Sequence, residues 1–544
     1  MGAGMVQGLR QWVALLLVWA GCAAVPAAGA AGRLVDATWL QQQLGQPGVV
    51  VLDASPTPLH RKGHIPGAIS ADLYAVGPRE VSLQRMQQRL QGWGLSPGQR
   101  IVIHDQGGSW FATRLFWDLL HLGVPAENLH LLDGGLSRWQ AAGGAVTTEA
   151  TPAPPPGSIR VTARREDIRV RLPEFLAASA DPRRHALVDA LEPDYYFGGA
   201  AFFDRAGHVP GARLMPSSDF FNADKTFKSP EEIARMAAHL GLSPDRVIHT
   251  HCGGGGAASV PFFALKFLLG WPQVTLFLES HMGWLQDERQ LPFWTYAQPQ
   301  LLRDTAWLKG WSNPMLRGFG LSAVTVVDLR PAADFQAGHL PQAVSVPMSL
   351  LREYLHQPAQ LAAPLRQRGL DPLHEAVLVS DGGLNRQSAL ALWLLQQAGQ
   401  RRVSLYLGHV ERWAEQGLEL ARGAPSAAPV AAPGMGLHPP VAGAAAGSGT
   451  YPTVYIASGD QPPARGPAGW PAGRVLHVPH TRLVQADGQP RPAAEIWAEL
   501  HKAGVPRLAR LVLLADDPAD AAVNWVVLQL MGYADVTLAM ATPG

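Results

Sequence analysis

Short apolar runs alternate with longer segments of mixed polarity along most of the chain, and one combination of the two recurs. An apolar run that ends in aspartate is followed by a polar stretch and then by the pattern Gly-His-(Ile/Val/Leu)-Pro-x-Ala. This combination occupies residues 49–68, 186–212 and 324–343. Short apolar runs bounded by turn residues are typical of buried strands. Each run therefore predicts a strand with its aspartate at the carboxyl end.

Each of these strands is followed by a second apolar run, a polar or glycine-rich loop and a helix-like segment. The loops begin at Asp105, Cys252 and Asp381, which follow their pattern histidines at nearly equal distances. A third short strand and a tryptophan then close each unit. Strands that alternate with longer helical patterns indicate an α/β fold built of mainly parallel sheets flanked by helices.

Repetition at this period indicates tandem domains. We predict three clear copies, over residues 31–152, 159–300 and 301–423, and a degenerate fourth copy over 451–544, which keeps the strand–loop–helix order. A proline-rich break separates the first two copies. Residues 424–450 are rich in Ala, Pro and Gly and poor in large apolar residues, which predicts a flexible linker.

Composition narrows the classes of function. With 544 residues and 47% hydrophobic content, the chain can bury several cores, and its formal net charge of +1 argues against nucleic acid as a partner. Cys22 and Cys252 are the two cysteines, so no disulfide framework is expected. The 19 histidines show no metal-ligand spacing, and we predict neither a metal site nor a cofactor.

The first thirty residues have the features of a targeting segment. Arg10 precedes an apolar stretch over 12–21, and Ala28 and Ala30 form an A-x-A cleavage pattern, so residues 1–30 predict a secretory signal peptide. The alternative is a lipoprotein signal with a lipid anchor on Cys22. No later run is long and apolar enough to span a membrane. We expect an exported, periplasmic protein.

The aspartate-ended strand, the GH(I/V)PGA segment and the strand–Cys–loop–helix order resemble the rhodanese family of sulfurtransferases. LDGGLSRW (132–139) is similar to the strand and tryptophan segment that follows the family's loop helix. The resemblance implies tandem rhodanese-like domains, of the type found in exported thiosulfate or 3-mercaptopyruvate sulfurtransferases. It also implies that one domain of the set carries the nucleophile.

Cys252 is followed by four glycines and two alanines, namely Gly253, Gly254, Gly255, Gly256, Ala257 and Ala258. A strand would deliver the cysteine to the carboxyl edge of a parallel sheet, where ligand sites gather. A loop that curls around the sulfur before a helix begins would aim backbone N–H groups at it and favour an anion. We therefore predict a thiolate with a lowered pKa, which accepts sulfur as a persulfide.

Two other interpretations of Cys252 are open to test. A free cysteine is often a buried structural residue. A cysteine phosphatase has a similar loop but needs an arginine six positions on to clamp phosphate, where this chain has Ala258. The sequence favours the sulfur-transfer interpretation over both.

Asp105 and Asp381 stand at the nucleophile position of the first and third copies, and the fourth copy has ADDPAD (515–520) there. A carboxylate cannot form a persulfide, so we predict one catalytic copy, the second. Arg205 and Arg213, which flank GHVPGA, are candidate substrate-binding cations, and His251 is placed to tune the ionisation of Cys252. His208 and Asp189 recur in copies without cysteine and are interpreted as structural.

These features predict a sulfurtransferase that moves sulfane sulfur from a small anionic donor to a thiol or cyanide acceptor through Cys252. The alternative is an exported sulfur carrier or scaffold protein with little turnover, which three non-catalytic copies would suit. The partners expected are the small-molecule donor and the thiol acceptor.

Overall fold

The structure is a computed structural model that describes residues 33–72, 81–311, 315, 323–424, 430, 451–461 and 475–539. The predicted signal peptide, Cys22 and nearly all of the predicted linker lie outside these residues. No helix within the described ranges has the length and apolar character needed to cross a bilayer.

The described chain forms four sheets whose strands run parallel. The first contains β1 (Leu34–Val35), β2 (Val49–Asp53), β3 (Ile69–Ser70), β4 (Arg100–His104) and β5 (Leu129–Leu132). The second contains β6 (Arg169–Val170), β7 (His185–Asp189), β8 (Arg213–Leu214), β9 (Val247–His251) and β10 (Val274–Phe277). The third contains β11 (Leu302–Arg303), β12 (Val324–Asp328), β13 (Val344–Ser345), β14 (Glu375–Val379) and β15 (Arg402–Tyr406).

These three sheets share one topology. Their strand orders are β1-β5-β4-β2-β3, β6-β10-β9-β7-β8 and β11-β15-β14-β12-β13. The fourth sheet has the order β17-β16-β18-β19, with β16 at Thr453–Ala457, β17 at Val475–His477, β18 at Arg510–Leu514 and β19 at Val536–Leu538. It repeats the same plan without a counterpart of the first edge strand.

Helices connect the strands. In chain order they are α1 (Ala37–Gln43), α2 (Thr57–Lys62), α3 (Leu83–Gly92), α4 (Phe111–His121), α5 (Gly135–Ala141), α6 (Leu172–Ala180), α7 (Pro193–Tyr196), α8 (Pro230–His239), α9 (Ser259–Phe263), α10 (Ser280–Leu285), α11 (Thr305–Trp311), α12 (Ala332–Ala337), α13 (Met348–Glu353), α14 (Ala362–Gln367), α15 (Arg386–Gln397), α16 (Val410–Glu415), α17 (Ala493–Lys502) and α18 (Pro518–Leu530). A π-helical turn over Ala264–Leu268 extends α9. The predicted α/β fold is confirmed.

The parallel register brings the predicted chemistry to one edge of each sheet. Asp53 pairs with His104 in the first sheet, Asp189 with His251 in the second and Asp328 with Val379 in the third. The loop that begins at Asp105 or Cys252 therefore starts beside the strand-end aspartate. This is the carboxyl edge, where open α/β folds place their sites.

The domains pack in pairs through the helices that follow these loops. Helix α4 of the first domain lies against α9 of the second, where the ring centroids of Phe116 and Phe263 are 5.1 Å apart. The Thr113 and Ser259 hydroxyls share a hydrogen bond of 2.8 Å across this contact. In the second pair, α15 packs on α18, and Arg386 donates to Asp517 at 2.7 Å. The chain is therefore organised as two similar pairs.

The second domain of each pair also extends a short hairpin over the loop of the first. One hairpin is closed by the Phe221–Phe227 bridge and places the Lys225 side chain against Gly107 and Gly108. The other is closed by the bridge between Val484 and Pro490, and its Gly488 carbonyl accepts a hydrogen bond of 2.8 Å from the Leu384 N–H. The loops of the first and third copies are thus partly covered by their partner domains.

Candidate active site

Cys252 follows the last residue of β9 and is held in place by the start of α10. The Cys252 N–H donates to the Ser280 hydroxyl at 3.1 Å, and the Cys252 carbonyl accepts from the His281 N–H at 2.9 Å. Ser280 has a φ of 52°, a left-handed conformation that is uncommon for a residue with a side chain. The segment that follows the third strand of this domain therefore approaches the cysteine.

The loop aims backbone amides at the sulfur. The Gly255 N–H donates to Cys252 Sγ at 3.1 Å, and the backbone groups of Ala258 and Gly254 also act to lower the pKa of the thiol. The Ser280 hydroxyl lies 4.0 Å from Sγ. The nest that the glycine run predicts is present in this geometry.

The predicted lowering of the Cys252 pKa is nevertheless wrong. The residue is 2% exposed, and burial raises the pKa of its thiol more than the surrounding amides lower it. The nearby carboxylate of Asp189 acts in the same direction as burial. The loop carries no cationic side chain to offset these effects.

The glycines also have a packing role that the sequence did not reveal. A Cβ atom on Gly256 would lie 2.8 Å from the Trp110 ring of the first domain, and one on Gly253 would lie 3.1 Å from the Phe202 ring. Gly255 has a φ of 78°, and its Cβ would lie 2.5 Å from the Leu278 carbonyl oxygen. Aromatic rings and backbone from three other segments thus close over the loop, which explains the burial of the sulfur.

Gly254 is the exposed member of the loop, and a Cβ atom on it would have no neighbour within 4 Å. Beside it, Phe202 is 53% exposed and stacks on Tyr195 at a centroid distance of 4.3 Å. Ala257 is half-buried and Ala258 is buried where α9 begins. The exposed part of the loop therefore lies at Gly254, beside an aromatic rim.

The two predicted cations do not reach the loop. Arg205 donates to the Leu291 carbonyl at 2.9 Å, and Arg213 is exposed on the edge strand β8. Neither guanidinium hydrogen-bonds to residues 253–258 in the described part of the chain. Their role in substrate binding stays a prediction.

His251 does not face the sulfur. Its ring contacts Phe175 at a centroid distance of 5.1 Å, as does the ring of His249 at 6.2 Å, so both histidines lie on the α6 side of the sheet. Cys252 instead packs in the cluster that contains Val260 on α9. His251 and Cys252 lie on opposite faces because neighbouring residues of a strand point in opposite directions. Burial also lowers the pKa of His251 to about 3.

Two recurrent residues have the structural roles expected of them. The buried His208 ring donates from Nδ1 to the Tyr196 carbonyl at 2.8 Å and stacks on the Tyr196 ring. The Asp189 carboxylate accepts from the Leu191 N–H at 3.0 Å and lies 3.0 Å from His281 Nε2. The histidine partners hold the pKa of Asp189 at about 2 despite its burial.

The corresponding loop of the first copy holds a carboxyl group. Asp105 is buried, and its two oxygens accept hydrogen bonds from the Gly107 N–H at 2.7 Å and the Ala112 N–H at 3.0 Å. Burial raises the pKa of Asp105. In the third copy Asp381 is exposed, and the loop is instead closed by a capping box at Asn385.

Comparison with known proteins agrees with this architecture. A family model described as the rhodanese-like domain matches residues 36–142 and 315–416. The sulfur carrier protein TtuD of Thermus thermophilus is 32% identical over 267 residues, which cover 46% of this chain and 93% of that protein. The chain belongs to the rhodanese family. A probable 3-mercaptopyruvate sulfurtransferase of Pseudomonas aeruginosa is 31% identical over 292 residues, covering 47% of this chain and 96% of the relative.

Two solved structures were also found to be similar over part of the chain. SseA from Escherichia coli, described as a 3-mercaptopyruvate sulfotransferase, has a TM-score of 0.42 and 24% identity, covering 46% of this chain and 98% of its own. Wild-type EanB has a TM-score of 0.44 and 21% identity, covering 49% of this chain and 70% of its own. Each of these relatives and structures matches about half of this chain.

Proposed function

We propose that this rhodanese-family chain is a sulfurtransferase of the thiosulfate or 3-mercaptopyruvate type, with Cys252 as its nucleophile. The observation that carries the proposal is the Gly255 N–H that donates to Cys252 Sγ at the carboxyl edge of a parallel sheet. An amide nest of this kind stabilises negative charge on the sulfur. The sulfurtransferase names of the relatives support the same class of reaction.

With thiosulfate as donor, the Cys252 thiolate attacks the outer sulfur. A bond forms between the two sulfur atoms, the bond from the outer sulfur to the sulfonate breaks, and sulfite leaves with the electron pair. Cyanide or a thiolate then attacks the terminal persulfide sulfur, and the Cys252 thiolate is released. The charge balances in both steps, and the sequence is a covalent two-step transfer.

The roles of the surrounding groups follow from their positions. The loop amides stabilise the charged sulfur before and after transfer. The Ser280 hydroxyl fixes the backbone of Cys252 by accepting a hydrogen bond from the Cys252 N–H. The donor enters beside Gly254, where the loop is exposed. Because the loop itself carries no cationic side chain, donor kinetics decide between thiosulfate and 3-mercaptopyruvate.

The test is thiocyanate release by the purified full chain from each donor with cyanide. We expect turnover by the wild type, and a rate at the uncatalysed background for Cys252→Ser. Asp381→Ser is the matched control, because it changes the equivalent position of the third copy, where the residue is exposed. Equal rates for wild type and Cys252→Ser would refute the proposal.

A second function has its own observation in favour. The burial of Cys252 and the raised pKa of its thiol suit a protein that holds sulfur and releases it slowly. A sulfur carrier or scaffold of this kind would show one added sulfur atom on Cys252 by mass spectrometry and negligible turnover with every small donor. Rapid turnover would exclude it.

We also propose export to the periplasm, on the basis of the apolar stretch and the A-x-A pattern before residue 31. Mass spectrometry of the protein isolated from the periplasmic and membrane fractions distinguishes cleavage of a signal peptide from lipidation of Cys22. Cleavage after Ala30 supports the signal peptide, and a lipidated Cys22 supports the lipoprotein.

A further inference from the structure

A second cluster of reactive side chains lies in the catalytic domain, on the opposite face of the sheet from Cys252. It contains Asp189 at the end of β7, His251 at the end of β9 and His281 at the start of α10. His281 Nε2 lies 3.0 Å from Asp189 Oδ2, and His251 Nε2 lies 3.6 Å from the same oxygen. One donor atom from each residue lies within 4.8 Å of the other two.

The three side chains are closed off from solvent. Asp189 and His251 are 0% exposed and His281 is 3% exposed. Both ring nitrogens of His251 are buried and have no hydrogen-bond partner among the described residues. A buried imidazole ordinarily has partners for its donor and its acceptor nitrogen. The unpartnered Nε2 faces the carboxylate oxygen at a distance too long for a hydrogen bond.

We propose that Asp189, His251 and His281 form a buried site for one divalent transition-metal ion of the Zn²⁺ class. Two imidazole nitrogens and one carboxylate oxygen are the ligands of such ions. Tetrahedral bonds of about 2.0–2.1 Å place neighbouring ligand atoms about 3.3 Å apart. The observed separations of 3.0 and 3.6 Å bracket that distance. Three protein ligands leave the fourth position to water or another small ligand.

The equivalent positions of the other copies lack this convergence. In the first copy Leu136 stands where His281 stands in the second, since its N–H donates to the Asp105 carbonyl; His60 from α2 instead places Nδ1 2.8 Å from Asp53 Oδ2, while His104 Nδ1 lies 3.9 Å from the other oxygen. The two histidines therefore divide between the carboxylate oxygens. In the third copy the Arg330 guanidinium donates to Asp328 at 2.7 Å and supplies the positive charge itself.

The faces of the sheet keep the proposed ligands apart from the Cys252 thiol. Asp189 and His251 are register partners and share a face, which also carries Phe175. Cys252 packs on the other face. The proposed ion therefore has nitrogen and oxygen ligands only, and its binding does not require the thiol.

The test is equilibrium dialysis of the untagged full chain, first freed of metal with a chelator, against Co²⁺ and Zn²⁺. We expect one equivalent of Co²⁺, a visible d–d spectrum without a thiolate charge-transfer band, and the same spectrum for Cys252→Ser. His251→Gln and His281→Gln are expected to bind at least about tenfold more weakly, since even outer-shell changes cost that much. His104→Gln, at the same repeat position of the first copy, is the matched control and should bind like the wild type.

Three results would overturn the proposal. They are no Co²⁺ or Zn²⁺ bound by the wild type at micromolar concentration, undiminished binding by both histidine variants, or a sulfur ligand in the X-ray absorption spectrum of the cobalt-loaded wild type. The first and third results need no variant. The proposal therefore stays testable if a substitution at His251 or His281 prevents folding.

Discussion

The loops that follow β4 and β9 have the same backbone plan but hold different side chains. In the first domain, backbone N–H groups of Gly107 and Ala112 donate to the Asp105 carboxyl. In the second domain, the Gly255 N–H donates to Cys252 Sγ. Burial raises the pKa of both groups. The nest is thus shared by the first two copies, and the residue that it surrounds decides whether the loop can carry sulfur.

The two loops also differ in what covers them. The Lys225 side chain from the hairpin of the second domain lies against Gly107 and Gly108. The second loop is covered by Trp110 and Phe202 at its ends but leaves Gly254 exposed. Each loop nevertheless keeps one exposed glycine, Gly108 in the first domain and Gly254 in the second, so the residue inside the nest is what distinguishes the two loops for sulfur transfer.

The first prediction gives the Cys252 loop the carboxyl group that the first domain has at the equivalent position. Cys252→Asp should reduce thiocyanate release to background, because a carboxyl group cannot accept sulfane sulfur. It should stay folded, since the same nest holds Asp105 in the first domain. Circular dichroism and the donor assay on the same sample check both expectations. Residual turnover in this variant would place the nucleophile elsewhere.

The second prediction concerns pH. In the proposed reaction the thiolate is the attacking species. Burial raises the pKa of the Cys252 thiol. The rate constant kcat/KM should therefore rise by about tenfold per pH unit below that pKa, and should continue to rise beyond the ordinary thiol value of about 8.5. Alkylation of Cys252 by iodoacetamide should follow the same profile.

A plateau in either rate near pH 7 would contradict the raised pKa. The free energy of unfolding must be followed over the same pH range. A thiol whose pKa is higher in the folded protein than in the unfolded chain contributes to that free energy, and the contribution is complete at low pH. That contribution is lost as the pH rises through the folded-state pKa. Far-UV circular dichroism at each pH separates this loss from the change in rate.

The third prediction separates two neighbouring glycines. Gly255→Ala puts a side chain at a φ of 78° and 2.5 Å from the Leu278 carbonyl oxygen, and should cost about 2–4 kcal/mol of unfolding free energy together with most of the activity. Gly254→Ala is the matched control, because nothing lies within 4 Å of its Cβ position. Urea unfolding and the donor assay check both. Equal effects would mean that the loop is not packed as described.

Much of this architecture follows from sequence because it repeats. The strand-end aspartates, the pattern histidines and the loop positions of Asp105 and Cys252 recur at matched spacing, and parallel strands bring them to one edge. The run of four glycines after Cys252 predicts the amide nest. These features depend on neighbours along the chain or on the register of adjacent strands.

The burial of the sulfur could not be predicted in this way. It depends on Trp110 from another domain and on Phe202 from a distant segment of the same domain, and no local pattern records either contact. The expected fall in the Cys252 pKa was wrong for that reason. The convergence of His251 and His281 on Asp189 likewise needs three segments that the sequence leaves far apart.

The fourth prediction tests whether the first loop is stabilised by the carboxyl group that it surrounds. Asp105→Ala leaves the Gly107 and Ala112 N–H groups without their acceptor, and a buried donor without a partner costs about 1–3 kcal/mol. Asp381→Ala, at the exposed equivalent position, should change the unfolding free energy by less than about 0.5 kcal/mol. Urea midpoints of the two variants provide the comparison. Trp110 belongs to the same loop segment and packs on Gly256, so Asp105→Ala should also lower the sulfur-transfer rate. An unchanged unfolding free energy and an unchanged rate would show that the first loop does not need its carboxyl group.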